Sequence, residues 1–260
     1  MIYLSRLLLN PRHRAVRADL GDCNSLHRTI MRGFPPVPAP VPSDGGVADK
    51  TGARERFDVL YRVDDDPHAR GPILLVQSRV APNWSHLPAD YLLPAHGAQA
   101  TADCKRVDER YAAIVEGMAL SFRLRANPTR KIDTKSGPNG ERRNGKRVEL
   151  RHEDDQLAWL RRKGGQHGFD LLATTVNPAV ADVRASGAGK VTGSREKRAA
   201  VGEESGGGTL GGSSLTFGSV LFEGRLRVVD PSLIRDALTH GIGSGKAYGF
   251  GLLSIAPPRR

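Results

Sequence analysis

The stretch "CNSLHRTI", residues 23–30, carries a histidine, His27, in a segment with helical spacing. Imidazole has an ordinary pKa of about 6.5, so His27 can take up or release a proton near neutral pH. On an ideal helix the same spacing sets His27 within the arc of Leu26, Ile30, Met31 and Phe34, the arc that packs into a core. Periodicity alone therefore makes it a packed core histidine, and only its proton chemistry keeps a second role open. Asp64, Asp65 and Asp66 are adjacent carboxylates ahead of Pro67, a pattern more usual in a turn than in a two-metal clamp. "GIGSGKAYGFG", residues 241–251, invites a nucleotide-binding reading and fails it. A phosphate loop needs glycine where His240 stands and Ser or Thr where Ala247 stands, and the third glycine of a dinucleotide motif falls on Lys246 or Tyr248. The segment also leaves a helix and enters a strand, the reverse of both motifs. Its glycines permit exposed N–H groups facing an anion, or close packing against a sheet.

The 260 residues suit two domains of about 100–150 residues better than one. The 39 Lys and Arg against 28 Asp and Glu give a net charge of +11, which makes a polyanion the leading partner class. Aromatic residues are only 5%, too few for a binder built on many base-stacking platforms. Structured RNA or a duplex, read through phosphates and helical shape, fits better. Two cysteines, Cys23 and Cys104, make neither a disulfide framework nor a metal set, which suits a cytoplasmic location. No apolar run reaches the roughly 18–20 residues that span a bilayer, and the opening "MIYLSRLLLNPRHR" makes a poor signal peptide, so no membrane partner is expected.

The elements around these residues follow from spacing. "IYLSRLLL" reads as a strand, "NPRHRAVRADLGDC" as a basic, turn-rich connection, and residues 23–33 as the helix of His27. Five prolines between Pro35 and Pro42, followed by Gly45–Gly46, predict an exposed loop over "FPPVPAPVPSDGGVADKTGARE". "RFDVLYRV" and "PILLVQS" predict a hairpin across an acidic turn. In "ALSFRLRA", Leu120, Phe122 and Leu124 alternate with Ser121, Arg123 and Arg125, a half-buried strand with a cationic outer face. A basic hairpin carrying Arg130, Lys131, Lys135, Arg142, Arg143, Lys146 and Arg147 comes next, and a dense run of one sign favours contact with RNA. "EDDQLAWLRRK" reads as a helix with acids first and bases last, as the helix dipole favours. "GFDLLATTV" predicts a strand, and "REKRAAVGEESGGGTLGGSS" a mobile stretch. Near the end come a strand in "LTFGSVLFEGRLRVVD", a helix capped by Asp230 with Pro231 first and Gly241 at its stop, and a closing strand in "AYGFGLLSIAP". Each half gives the order of an α+β ferredoxin-like unit, with the second helix of the first half the weakest element.

Gly241, Gly243, Gly249 and Gly251 in the pattern G-h-G-x5-G-h-G resemble the glycine-rich loop of the CRISPR repeat-associated RNA-binding superfamily. With "YLSRLLLNP" at 3–11, "LHRTI" at 26–30, "FRLRANP" at 122–128, "GKRVEL" at 145–150, "AWLRRK" at 158–163, "VLFEGRLRVVDP" at 220–231 and "GIGSGKAYGFGLLSIAP" at 241–257, the chain resembles the CasE family from end to end. The resemblance implies tandem ferredoxin-like (RRM-like) domains. Residues 1–115 would carry His27, and residues 116–260 the basic hairpin and the C-terminal glycine-rich loop. It implies an endoribonuclease that binds the CRISPR repeat stem-loop, cuts precursor crRNA at the 3′ base of the stem without metal or other cofactor, and stays in Cascade with its product and the other subunits. In such a reaction the ribose 2′-OH attacks the adjacent phosphate, leaving a 2′,3′-cyclic phosphate and a 5′-OH; the enzyme supplies proton transfer, cations and in-line geometry. His27 matches the family's catalytic histidine. The family commonly places a tyrosine three residues earlier, where this chain has Asn24, an amide that can donate a hydrogen bond but cannot serve as a phenolic acid. Lys190 and Arg184 lie where family members carry basic residues near the cleavage site. The RNA-contact set is then Arg123, Arg125, Arg130, Lys131, Arg142, Arg143, Lys146, Arg147, Arg184, Gly243 and Lys246. A non-catalytic RNA-binding subunit of the same superfamily is the alternative that Asn24 keeps in play, and a basic RNA-binding protein outside CRISPR is a more distant one.

Overall fold

The structure, a computed structural model, describes residues 1–36, 53–66, 68–94, 102–132, 147–195 and 213–258. The first half consists of β1 (Tyr3–Leu8), α1 (Arg14–Gly21), α2 (Cys23–Met31), α3 (Ala53–Arg56), β2 (Leu60–Asp64), β3 (Ile73–Ser78), β4 (Ala102–Arg106) and α4 (Asp108–Ala112). Its strands form an antiparallel sheet in the order β2-β3-β1-β4, the ferredoxin-like order. The acidic hairpin is present as β2 and β3. Among the described residues no helix links β3 to β4; a loop with a bridge from Leu92 to Leu9 runs there. Leu26 and Ile30 of α2 pack with Leu7, Val16, Phe34, Tyr61 and Val76 in one core.

Two local expectations are corrected. The connection after β1 contains the helix α1, capped by His13, whose Nδ1 accepts from the Ala15 amide at 3.2 Å. Its sequence signal is weak because Val16 is its one buried apolar residue and the other buried position is Asp19, which accepts from Ser25 Oγ at 2.6 Å and Tyr91 OH at 2.7 Å. Most of the stretch expected as a proline-rich loop, residues 37–52, lies outside the described residues, but its end, expected within that loop, forms the helical turn α3, which carries Arg54.

The second half contains β5 (Ala119–Ala126), β6 (Thr129–Lys131), β7 (Arg147–Glu149), α5 (Glu153–Gln166), β8 (Phe169–Leu171), β9 (Val183–Arg195), β10 (Ser213–Val228), α6 (Pro231–His240) and β11 (Leu253–Ala256). The sheet order is β11-β5-β10-β8, and β9 pairs with the earlier part of β10. This is a second ferredoxin-like unit, with β6 and β7 inserted as a two-stranded ribbon. Asp230 caps α6 as expected, its Oδ1 accepting from Ser232 and Leu233 amides at 2.8 and 3.0 Å. Strand β9 has no legible pattern of its own because Gly187, Gly189 and Gly193 interrupt it; pairing to β10 overrides that weakness. No helix among the described residues is long and apolar enough to cross a membrane.

The alternation in β5 holds: Leu120, Phe122, Leu124 and Ala126 enter the core with Trp159, Phe222 and Leu238. Its cationic face is partly engaged by the first half of the chain, with Arg125 half-buried and the Arg123 side chain still 40% exposed. Arg123 pairs with Glu223 at 2.5 Å and reaches Asp64 at 3.6 Å, while Arg125 donates to Ser219 Oγ at 2.8 Å and to the Val63 and Ala188 carbonyls. At the centre is Arg62, 1% exposed. It grips Asp64 with two parallel bonds of 2.7 and 2.9 Å and donates its remaining Nη1 protons to the carbonyls of Arg123 and Leu252 at 3.1 and 3.0 Å. A β2 side chain thereby holds β5 and the lead-in to β11. Around it Gln77 donates to the Leu238 carbonyl at 2.6 Å and accepts from Tyr111 OH at 2.7 Å.

Breaking one partner of a buried, fully bonded pair strands the other charge, so Asp64→Ala is expected to lower unfolding free energy by about 3–5 kcal/mol. Arg151→Ala, which removes an exposed partner 4.0 Å from Glu149, is expected to cost under about 1 kcal/mol. Urea denaturation of both variants measures the difference.

Candidate active site

Helix α2 is fixed from three sides. Asp22 caps it, Oδ1 accepting from the Asn24 and Ser25 amides at 2.8 and 3.2 Å; Ser25 binds Asp19; Leu26 and Ile30 are buried. His27 stands half-buried on this rigid support, with Nδ1 enclosed and without a hydrogen-bond partner. Nε2 is therefore the ring nitrogen left to meet a substrate. Burial, and secondarily the guanidinium of Arg54, hold the His27 pKa below its ordinary value. At neutral pH the imidazole is uncharged, the form that accepts a proton.

The N-terminus of α2 is tied to β9 of the other half. Asp22 Oδ2 accepts from the Ser194 amide at 3.2 Å and from its hydroxyl at 2.5 Å, and Asn24 donates its amide to the Ser194 carbonyl. Burial raises the Asp22 pKa, but bonds from Ser194, Ser25 and Asn24 outweigh it and the net shift is downward. Gly193 makes the approach possible, since a Cβ there would lie 2.6 Å from Cys23 Sγ. Asn24, at the position of the family's tyrosine, thus serves as a strap between the halves.

The glycine-rich loop closes the site from the C-terminal side. It holds a single 3-10 turn, Lys246–Tyr248, against α2 and β2. Tyr61 of β2 donates its hydroxyl to the Ala247 carbonyl at 2.9 Å, and a Cβ on Gly249, whose φ is 84°, would press on the Tyr61 ring at 3.2 Å. Tyr248 stacks on Phe217 with centroids 5.0 Å apart. Lys246 has a lowered pKa, first from burial and then from Arg54. Arg54, which pairs with Glu55 at 3.1 Å, is thus an electrostatic neighbour of both His27 and Lys246. Such an arrangement can take a proton at His27 and stabilise an extra negative charge alongside.

Of the residues expected from sequence, the fold gathers His27 and Lys246 near Arg54 and gives Asn24 to Ser194. Gly243 packs on the Trp159 indole, 3.2 Å from where its Cβ would be. Lys190 and Arg184 lie exposed on strand β9, opposite Gly218 and Glu223. Arg130, Lys131 and Arg147 are exposed on the β6–β7 ribbon, and Arg123 and Arg125 are held at the contact between the halves. Arg142, Arg143 and Lys146 lie outside the described residues. Asp64 is committed to Arg62, and no group of three or more metal-capable side chains occurs among the described residues. Sequence reasoning missed Arg54, Gly193 and Ser194. Arg54 follows a proline-rich stretch with no periodicity, and the other two act only through a contact about 170 residues distant.

A family model described as CRISPR associated protein matches residues 2–257. The chain is 33% identical to the CRISPR-associated endoribonuclease Cse3 of Thermus thermophilus over 98% of this chain and 100% of that one. It is 31% identical, with the same coverage, to the Cascade subunit CasE of Escherichia coli K12. A solved structure of Thermus thermophilus Cse3, bound to an RNA representing a pre-cleavage complex, superposes with a TM-score of 0.67 at 31% identity, covering 98% of this chain and 99% of that one.

The depressed pKa of His27 has a definite sign. The unfolded chain binds the proton more readily just below pH 6.5, so the contribution of this group to stability is present above 6.5 and is lost as pH falls toward the folded value. An imidazole NMR titration is expected to give His27 a midpoint below 6.5 in the free protein. His27→Gln is expected to flatten the fall of stability with acid in that window.

Proposed function

The chain belongs to the CRISPR associated protein family, within its CasE group, and from that premise we propose that it is the endoribonuclease that cuts precursor crRNA at the 3′ base of the repeat stem-loop and keeps the product as part of Cascade. The observation that carries this reading is His27, held neutral and half-buried on α2 where helix, Arg54 and glycine-rich loop meet. A neutral imidazole takes the proton of the ribose 2′-OH as the 2′-oxygen bonds to phosphorus. The bond from phosphorus to the 5′-oxygen then breaks, the leaving oxygen takes a proton from water, and the proton held by His27 returns to the hydroxide so formed. The products are a 2′,3′-cyclic phosphate and a 5′-OH. Arg54 and Lys246 stabilise the extra charge on the pentacoordinate phosphorane. The ribbon cations Arg130, Lys131 and Arg147, continued in sequence by Arg142, Arg143 and Lys146, bind stem phosphates and set register; Arg184 and Lys190 extend the basic surface along β9. Arg123 and Arg125 keep the halves together, acting on RNA only through the cleft they shape. The reaction needs no metal in this scheme, and the cytoplasm is its place.

A second reading is a subunit that binds the hairpin without cutting it. One observation favours it: the amide of Asn24 is occupied by the Ser194 carbonyl and offers no acid where the family has a phenol.

Cleavage of the cognate repeat RNA in EDTA separates the two. Wild type is expected to cut at one site and leave a cyclic phosphate. His27→Ala is expected to bind within about threefold while the single-turnover rate falls by about 10²–10⁴-fold. Binding without cutting by wild type, in EDTA and again in magnesium, would establish the second reading.

A further inference from the structure

A cavity of about 280 Å³ opens between α5, the β6–β7 ribbon and the glycine-rich loop. His27 does not line it. Its wall carries Arg147 from β7, Lys163 and His167 from α5 and its end, and Lys246 from the 3-10 turn, with the Trp159 edge beside Gly243. Among the described residues no carboxylate lines it, so the site is built for an anion. Burial lowers the Lys163 and His167 pKa values, and neighbouring cations lower them further: Arg162 and Arg147 for Lys163, Lys163 and Lys246 for His167. An arriving negative charge relieves that repulsion.

Asn127 adds a second requirement. It lines the cavity at 8% exposure, and its Oδ1 is buried without a hydrogen-bond partner. An amide oxygen is an acceptor only, and a fully ionised phosphate has no proton to give it. The ligand that satisfies both walls is a phosphate ester carrying its own O–H or N–H donors. The volume falls just below the roughly 300–1,000 Å³ usual for small-molecule sites, which admits one nucleotide and excludes a helical stem.

We propose that this cavity is a subsite for a single nucleotide of the RNA, its phosphate held by Arg147, Lys163 and Lys246 and a ribose hydroxyl or base N–H donated to Asn127. The proposal rests on the RNA-cleaving reading for the identity of the strand. Arg54 is an electrostatic neighbour of both His27 and Lys246, and Lys246 lines the cavity, so the nucleotide flanks the one at His27. Occupancy brings an anion beside His167, whose charged neighbours Lys163 and Lys246 lower its pKa, and binding therefore strengthens as pH falls through the range in which His167 takes a proton.

The test is the His167 imidazole resonance of the full chain, assigned with His167→Gln, titrated with adenosine 5′-monophosphate and separately with inorganic phosphate. The nucleotide is expected to move the resonance, raise its titration midpoint and bind at least about fivefold tighter than phosphate, an advantage that Asn127→Ala removes. Equal binding of the two overturns the nucleotide assignment, and no response to either overturns the subsite. In a second arm, Lys163→Ala is expected to weaken binding of a repeat RNA with a 2′-deoxy scissile nucleotide by about tenfold; unchanged affinity overturns the proposal. A wild type that does not bind this RNA at all contradicts the RNA-cleaving reading alone, and the mononucleotide titration still decides the subsite.

Discussion

The bond set of Arg62 governs the geometry of this protein. Two ferredoxin-like units do not by themselves define a cleft; the angle and separation between them do. A guanidinium is planar and always charged, and its five N–H groups point in fixed directions. With two bonds to Asp64 on its own strand and two to carbonyls of the other half, Arg62 leaves little freedom in how the halves meet. A buried ion pair gives modest net stability when compared with apolar packing. What this one provides is register, because any slide of β2 against β5 would strand a buried charge.

The neighbouring residues on β2 extend that control to the chemistry. Tyr61 precedes Arg62 and binds the glycine-rich loop through Ala247, and Leu60 packs under Gly241. The strand that locks the halves therefore also seats the loop, and the loop in turn meets α2. At the start of α2, Asp22 and Asn24 grip Ser194 of β9. Helix α2 thus meets the C-terminal half at both the glycine-rich loop and β9, and His27 stands about one turn on from Asn24. Its electrostatic state follows from this confinement: burial and the nearby Arg54 keep it neutral while the surrounding cations await a polyanion.

Much of the fold was legible in local patterns. The alternation of Leu120, Phe122 and Leu124, the cap and stop of the helix between Asp230 and Gly241, and the hairpin over residues 60–78 all appear as their spacing predicts. What spacing does not reveal is which polar face meets another polar face. Arg123 and Arg125 carry the pattern of a solvated or RNA-facing surface, yet the carboxylates of Asp64 and Glu223, the Ser219 hydroxyl and the Val63 carbonyl engage them. Strand β9 is invisible because its stability comes from a long partner and not from its own glycine-rich residues. For the site, periodicity alone would have kept His27 in the core, and family resemblance was needed to single it out. Arg54 and Ser194 carry no local mark, since their roles exist only once the chain has folded.

The central claim is that His27 moves the proton of the attacking hydroxyl. The most direct measurement is a structure of the chain with repeat RNA whose scissile nucleotide lacks the 2′-oxygen. The account predicts that the 2′ carbon faces His27, so that an oxygen restored to it would fall within hydrogen-bond reach of Nε2, about 2.6–3.2 Å, with the scissile phosphate facing Arg54 and Lys246. A scissile nucleotide seated elsewhere, with His27 still enclosed by its helix and touching no RNA, would contradict it.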